Sequence, residues 1–271
     1  MIDLIAEYQQ HLVDLDRSER TISDYISILR RMDRELEYGL TSACADELKA
    51  WIFTPNHGPA TRSLYRTVVA GFCAWATNPE DARLDYNAAA TLPHVAKPKR
   101  KPKPIKTDIL ADILERAEKP YRTWCTAAAY GGLRCCEISG LDRDHIGEKH
   151  TWIKQGKGRK ERVVPTHPAL WRAVQQLPRG PIALDHDGKT RLTPQKVAHR
   201  ANHQLRSVLG YPGVSMHRLR HWFGTNTYKA TRDLRAVQEL LGHSSVSTTQ
   251  GYVDVDEEQK KAAVIGLPDL T

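Results

Sequence analysis

Residues 94–106 read His-Val-Ala-Lys-Pro-Lys-Arg-Lys-Pro-Lys-Pro-Ile-Lys, with three prolines, six basic residues and no acidic one. Pro98, Pro102 and Pro104 withhold backbone donors, fix φ and push each preceding residue out of the helical region. Neither a helix nor a central strand can run through such a segment, which reads as an extended, stiffened linker. The 271-residue chain is therefore expected to fold as two domains, 1–93 and 107–271, joined by 94–106, and each piece is long enough to bury its own core. Charge follows the same division. Residues 1–93 carry 9 basic and 14 acidic side chains, a net of −5, whereas 107–271 carry 25 and 18, a net of +7. The total of +8 favours an anionic partner.

Other classes fall away on composition. No apolar run approaches the roughly 20 residues that span a bilayer, so no membrane association is expected. The N-terminus, MIDLIAEYQQ, has no basic stretch ahead of an apolar one, which argues against a signal peptide. Cys44, Cys73, Cys125, Cys135 and Cys136 are odd in number and form no C-x-x-C pair, so neither a disulfide framework nor a cysteine zinc site is expected. Core thiols of a reducing cytoplasm are the simpler reading.

Apolar spacing in the first domain is helical. Leu4, Ile5, Tyr8, Leu12 and Leu15 form one stripe, and Ile22, Tyr25, Ile26, Leu29, Met32 and Leu36 a second, with Ser18 or Thr21 as its cap. Residues 45–52 and 61–76 give two more helices, separated by Asn-His-Gly-Pro at 56–59. A bundle of four or five helices follows. Arg30, Arg31 and Arg34 lie on one helix and Arg62 and Arg66 on another, as a solvated face or as phosphate contacts.

The second domain is mixed. Residues 108–119, 121–131 and 137–141 read as helices. Residues 151–155 and 161–165 alternate as strands around Gly156-Lys157-Gly158-Arg159-Lys160, a β-hairpin with a basic, glycine-rich tip. Helical patterns resume at Pro168, interrupted over 177–193. The fold class is mainly α, with an α+β second domain holding a small hairpin sheet.

Five motifs then stand in one order: Gly-Gly-Leu-Arg-Cys-Cys-Glu-Ile at 131–138, Gly-Lys-Gly-Arg-Lys-Glu-Arg-Val-Val-Pro at 156–165, His-Arg-Leu-Arg-His at 217–221, Leu-Leu-Gly-His-Ser-Ser at 240–245 and Thr-Thr-Gln-Gly-Tyr-Val at 248–253. Singly each is weak; as an ordered set they are specific. The set resembles the tyrosine recombinases, the family of phage integrases, Xer and Cre-like enzymes. That resemblance implies a helical core-binding domain and a catalytic domain that clamp duplex DNA. It also implies strand exchange through a 3′-phosphotyrosine and a Holliday junction, by a homotetramer on two core sites built from protomers that are monomeric when free. The first domain and the linker fit this plan, so the resemblance covers nearly the whole chain.

Residue by residue, Arg134 and Arg220 match the family's clamp arginines, whose planar guanidiniums suit charge growing on non-bridging phosphate oxygens. Lys157 matches the general acid that protonates the leaving 5′ oxygen, with Lys160 as its nearest rival. His217 shares a helical face with Arg220 and matches the position that binds phosphate and accepts the tyrosine proton. His243 matches a donor to a non-bridging oxygen, and Tyr252 the nucleophile. Glu137 matches an acidic residue that orients the clamp, and His221 supports the site. Lys97, Lys99, Arg100, Lys101, Lys103 and Lys106 of the linker, Arg159 and Lys160 of the hairpin tip, and Arg30, Arg31, Arg62 and Arg66 are the expected DNA contacts. Neither metal nor cofactor is expected, since two arginines do the work of a cation and the tyrosyl ester conserves bond energy.

Cys135-Cys136 and Trp222 depart from the usual family residues and read as packing variation. The acidic balance of 1–93 requires its basic residues to gather on one face. No arm-binding module is expected ahead of residue 1. Residues 256–271 are expected to dock into a neighbouring protomer, and accessory DNA-bending or directionality factors fit the family. Phage integration and excision, in the cytoplasm of a bacterial host, is the first reading. Xer-like chromosome or plasmid resolution is the alternative. Rivals from other classes are a non-catalytic regulator with a helix-turn-helix over 237–252, a metallohydrolase on His217 and His221, and a type IB topoisomerase. The intervening Arg-Leu-Arg replaces the Glu of H-E-x-x-H, which weighs against the metal site.

Overall fold

A computed structural model describes residues 3–96, 103–154 and 161–242. The chain forms two compact units, 1–99 and 100–271. Among the described residues no helix is long and apolar enough to cross a membrane.

The described residues of unit 1 hold four α-helices, α1 (Leu4–Asp14), α2 (Glu19–Glu35), α3 (Ala45–Ile52) and α4 (Pro59–Ala76), and a short 3-10 turn at Leu40–Ser42. Ser18 caps α2, its hydroxyl accepting from the Thr21 N–H at 3.2 Å. Helix α4 begins two residues before the pattern predicts, because Pro59 sits in its first turn, where a missing N–H costs nothing. Leu29, Met32, Leu48, Ile52, Val68 and Phe72 are fully buried in the shared core. Tyr8 crosses from α1 to meet Phe72 and Trp75 on α4. Beside this core lies a polar cleft of about 310 Å³ lined by Ser63, Arg66, Thr67, His94 and Val95.

Unit 2 is organised around α6 (Tyr121–Tyr130), seven of whose ten residues are buried. Ala127, Ala128 and Ala129 on α6 allow close approach of α8 (Pro168–Val174) and α10 (Met216–Thr231). Trp124 fills the space beneath and donates from Nε1 to the Ile182 carbonyl at 3.0 Å. Helix α5 (Thr107–Arg116) ends before residue 119, the expected end, because the backbone turns extended at Ala117, with ψ 134°. Helix α7 (Cys135–Gly140) packs on α9 (Pro194–His203), and α11 (Leu234–Leu241) follows α10. Strands β1 (His150–Ile153) and β2 (Arg162–Pro165) pair antiparallel with Ile153 opposite Arg162, the hairpin that the alternation predicts.

Candidate active site

The site is built on the end of α6. The chain leaves it through Gly131 and Gly132 and re-enters a helix at Cys135. Gly132 has φ +61°, and a Cβ there would lie 2.7 Å from the Phe223 ring, so only glycine fits. That turn makes Arg134 the N-cap residue of α7 and Glu137 its N3 residue. The Glu137 carboxylate accepts from the Arg134 N–H at 2.7 Å, half of a capping box.

Glu137 is buried and gathers three guanidiniums. Arg134 Nη1 donates to it at 3.0 Å, Arg162 Nη1 and Nη2 at 2.7 and 3.1 Å, and Arg220 Nη1 at 3.4 Å. Burial pushes the Glu137 carboxyl up. The hydrogen bonds and charge of Arg162, the charge of Arg220 and the Arg134 N–H outweigh it and hold the group below its usual value. Three cations against one carboxylate leave the cluster net positive.

The same arginines take the last carbonyls of α11, one each. Arg162 Nε donates to Leu240 O at 3.1 Å, Arg220 Nη2 to Leu241 O at 2.5 Å, and Arg134 Nη2 to Gly242 O at 3.4 Å. Carbonyls left over at a helix C-terminus carry negative partial charge, so the helix end and the cluster suit each other. Arg220 also donates to the Gly132 carbonyl, and its side chain is 2% exposed.

Helix α10 carries His217 and His221 one turn apart, with ring centroids 4.2 Å from each other. Partial desolvation, then the charges of Arg220 and Arg134, push His217 below its ordinary value. Burial, then His217, Arg220 and Arg218, push His221 down to about 4. Both imidazoles are therefore neutral near pH 7. The outer face of α10 grips the incoming chain. Arg218 Nε donates to Lys103 O at 2.9 Å, and Trp222 Nε1 donates to Thr107 Oγ1 at 3.1 Å.

Of the residues expected from sequence, Arg134, Glu137, His217, Arg220 and His221 stand together. Lys157, Arg159, Lys160, His243 and Tyr252 lie outside the described residues. So do Lys97, Lys99, Arg100 and Lys101, the segment 256–271 and the second half of the suggested helix-turn-helix. Lys103 and Lys106 are exposed at the start of unit 2.

The unit 1 arginines have partners of their own. Arg30 pairs with Asp3 at 2.7 Å, and Arg31 donates to Tyr65 Oη at 2.9 Å and stacks on Trp51. Arg62 donates to Thr54 O at 2.9 Å, and Arg66 Nε to Leu92 O at 3.2 Å beside the polar cleft. Trp222 packs edge-on against Tyr130, as packing variation would have it. Arg162 was not singled out from sequence. It stands within the 156–165 motif, but nothing in that stretch sets it apart from its basic neighbours, and its partners are 25 and 78 residues away.

Comparison with known proteins gives one answer. The profile of the phage integrase family matches residues 105–259. The tyrosine recombinase XerC of Rhodospirillum centenum is 38% identical over 234 residues, covering 78% of this chain and 67% of that protein. XerC of Neisseria meningitidis serogroup C is 30% identical over 279 residues, covering 92% and 90%. In fold, a lambda integrase fragment (residues 75–356), solved as a dimer bound to a COC′ core site, has a TM-score of 0.75 at 18% identity, with 93% and 94% covered. The chain belongs to the phage integrase family, the tyrosine recombinases whose motif order its sequence carries.

Proposed function

We propose that this protein is a site-specific recombinase that breaks and rejoins duplex DNA through a 3′-phosphotyrosine and a Holliday junction. The observation that carries this reading is the convergence of Arg134 and Arg220, from segments 86 residues apart in the chain, on one buried carboxylate beside two neutral histidines. A phosphodiester resists attack because it is anionic and its alkoxide leaves poorly. Two prepositioned guanidiniums offset the charge that grows on the non-bridging oxygens, and a donor of this kind is worth roughly 3–4 kcal/mol by analogy with oxyanion holes.

In this reading Tyr252 attacks the phosphorus, and His217, neutral at working pH, accepts its proton. Lys157 protonates the departing 5′ oxygen, while His243 donates to a non-bridging oxygen. The 5′ hydroxyl of another strand then reverses the step, so the reaction needs neither ATP nor metal. The lysines and arginines of the linker and hairpin tip contact backbone phosphates. In unit 1, Arg30, exposed on α2 and paired with the exposed Asp3, is better placed for DNA than Arg31, which is tied to aromatic rings; Arg62 and Arg66 each donate to a backbone carbonyl.

The proposed assembly is a homotetramer on two core sites formed from free monomers in a bacterial cytoplasm, assisted by accessory DNA-bending or directionality factors. Residues 256–271 dock between neighbouring protomers. Phage-type integration and excision is the first assignment. The 38% identity to XerC of Rhodospirillum centenum favours Xer-like chromosome or plasmid resolution as the second.

Covalent trapping tests the reaction. Protein is mixed with fragmented source DNA in EDTA without ATP and quenched with detergent, and the linked ends are sequenced. Adducts on 3′ phosphates at one recurrent sequence, absent from Tyr252→Phe, are expected. Adducts at scattered positions would favour a topoisomerase. Tight binding with no adduct would favour a regulator.

A further inference from the structure

The guanidinium of Arg162 is committed to protein through all three of its nitrogens: two meet Glu137 as a fork, and Nε holds the Leu240 carbonyl. Its side chain is 12% exposed. A carboxylate offers about four acceptor positions, and Arg162 occupies one on each Glu137 oxygen. Arg134 and Arg220 share what remains.

Were Arg162 absent, two buried acceptor positions would be open. Arg134 and Arg220, which already touch this carboxylate, would shift towards it. The end of α11 would be loosened by the same loss. Gly242, at φ +61°, lies so close to Arg162 that a Cβ would come within 2.8 Å of Nη1. The Gly242 carbonyl in turn accepts from Arg134. One side chain thus sets the surroundings of both clamp arginines without belonging to either of their motifs.

We propose that Arg162 is a positioning residue of the recombination site. It occupies Glu137 and seats the C-terminal end of α11, and so fixes where Arg134 and Arg220 stand to meet the scissile phosphate. The proposal rests on the recombinase reading above. Arg162 acts through Glu137, and the charged groups around that carboxylate are Arg134 ahead of α7, Arg162 from β2 and Arg220 from α10. His217 is the titratable neighbour influenced by Arg220 and Arg134.

The test uses the full-length protein, Arg162→Met, Arg162→Lys, Glu137→Gln and the double variant Glu137→Gln/Arg162→Met. Single-turnover cleavage of a nicked duplex carrying the trapped site is followed from pH 5 to 9, with Kd for the same DNA measured in parallel. A displacement of the clamp by about 1 Å costs about 10²-fold in rate. Arg162→Met is therefore expected to cleave about 10²-fold more slowly with Kd within threefold of wild type.

Its acid-side loss of activity is expected to move to higher pH, because burial then raises the Glu137 carboxyl with less opposition. Arg162→Lys keeps the charge and loses the fork, so it should restore the acid limb and leave the rate depressed. The double variant should be no more than threefold slower than Glu137→Gln alone.

A rate for Arg162→Met within threefold of wild type would overturn the proposal, as would losses that multiply in the double variant. A Kd that weakens in step with the rate would mark Arg162 as a phosphate contact instead. Should Arg162→Met fail to fold, Arg162→Lys carries the decision, and a wild-type rate from it overturns the idea. A wild type that forms no adduct would remove the recombinase reading itself, and the proposal with it.

Discussion

His221 stands where three influences agree. It is partly buried, its neighbour His217 is another imidazole, and Arg220 and Arg218 are close enough to repel a proton. With a folded value of about 4 against an ordinary 6.5, the unfolded chain binds this proton more readily than the folded one. Stability contributed by the neutral ring is complete above pH 6.5 and declines as pH falls towards 4. His221→Gln is expected to flatten that part of the stability profile. Urea midpoints between pH 7 and 4.5 check this, and parallel profiles for the two proteins would refute it.

The residues of this site differ in how far sequence exposed them. Arg134, Glu137, His217 and Arg220 were legible because each sits in a short motif whose spacing has a chemical meaning. Arg162 was not. It is one of four basic residues in the six positions 157–162, and what distinguishes it is a contact with a carboxylate 25 residues earlier. A local window cannot contain that information.

At the scale of elements, periodicity found the four described α-helices of unit 1 and both strands, though not the short 3-10 turn at Leu40–Ser42, and several ends moved for identifiable reasons. Proline shifted one of them, as Pro59 opened α4 early. The start of α7 moved because Glu137 reaches back to cap it. Helix α6 shows what the pattern hides. Buried on nearly all sides, it has no polar stripe to report its orientation, and its alanines matter for what they leave out. Ala128→Leu is expected to overpack the contact with its neighbours and cost about 1–3 kcal/mol. Chemical denaturation measures it; an unchanged midpoint would mean that α6 has slack which the full burial of Ala128 does not suggest.

On the scale of the whole molecule, charge and covalent order matter more than packing. The six basic residues of 94–106 are proposed to meet phosphates, and each such contact contributes about 0.9 to the slope of log affinity against log salt. Neutralising all six is expected to weaken binding to every DNA sequence alike and to flatten that slope by about 5. Titrations between 50 and 200 mM salt on the recombination site and on random duplex decide the point. A loss confined to the recombination site would show that the linker reads bases.

The arginine knot also has a history in each newly made copy. Translation delivers Arg134 and Glu137 first, then Arg162, but Arg220 comes 83 residues after Glu137, and the Gly242 carbonyl 108 residues after Arg134. Until those last pieces leave the ribosome, the carboxylate lacks one of its cations and no helix end is there to be held. A chain truncated or still growing short of Gly242 therefore carries an unfinished pocket, and the power to cut DNA waits on the residues that close it.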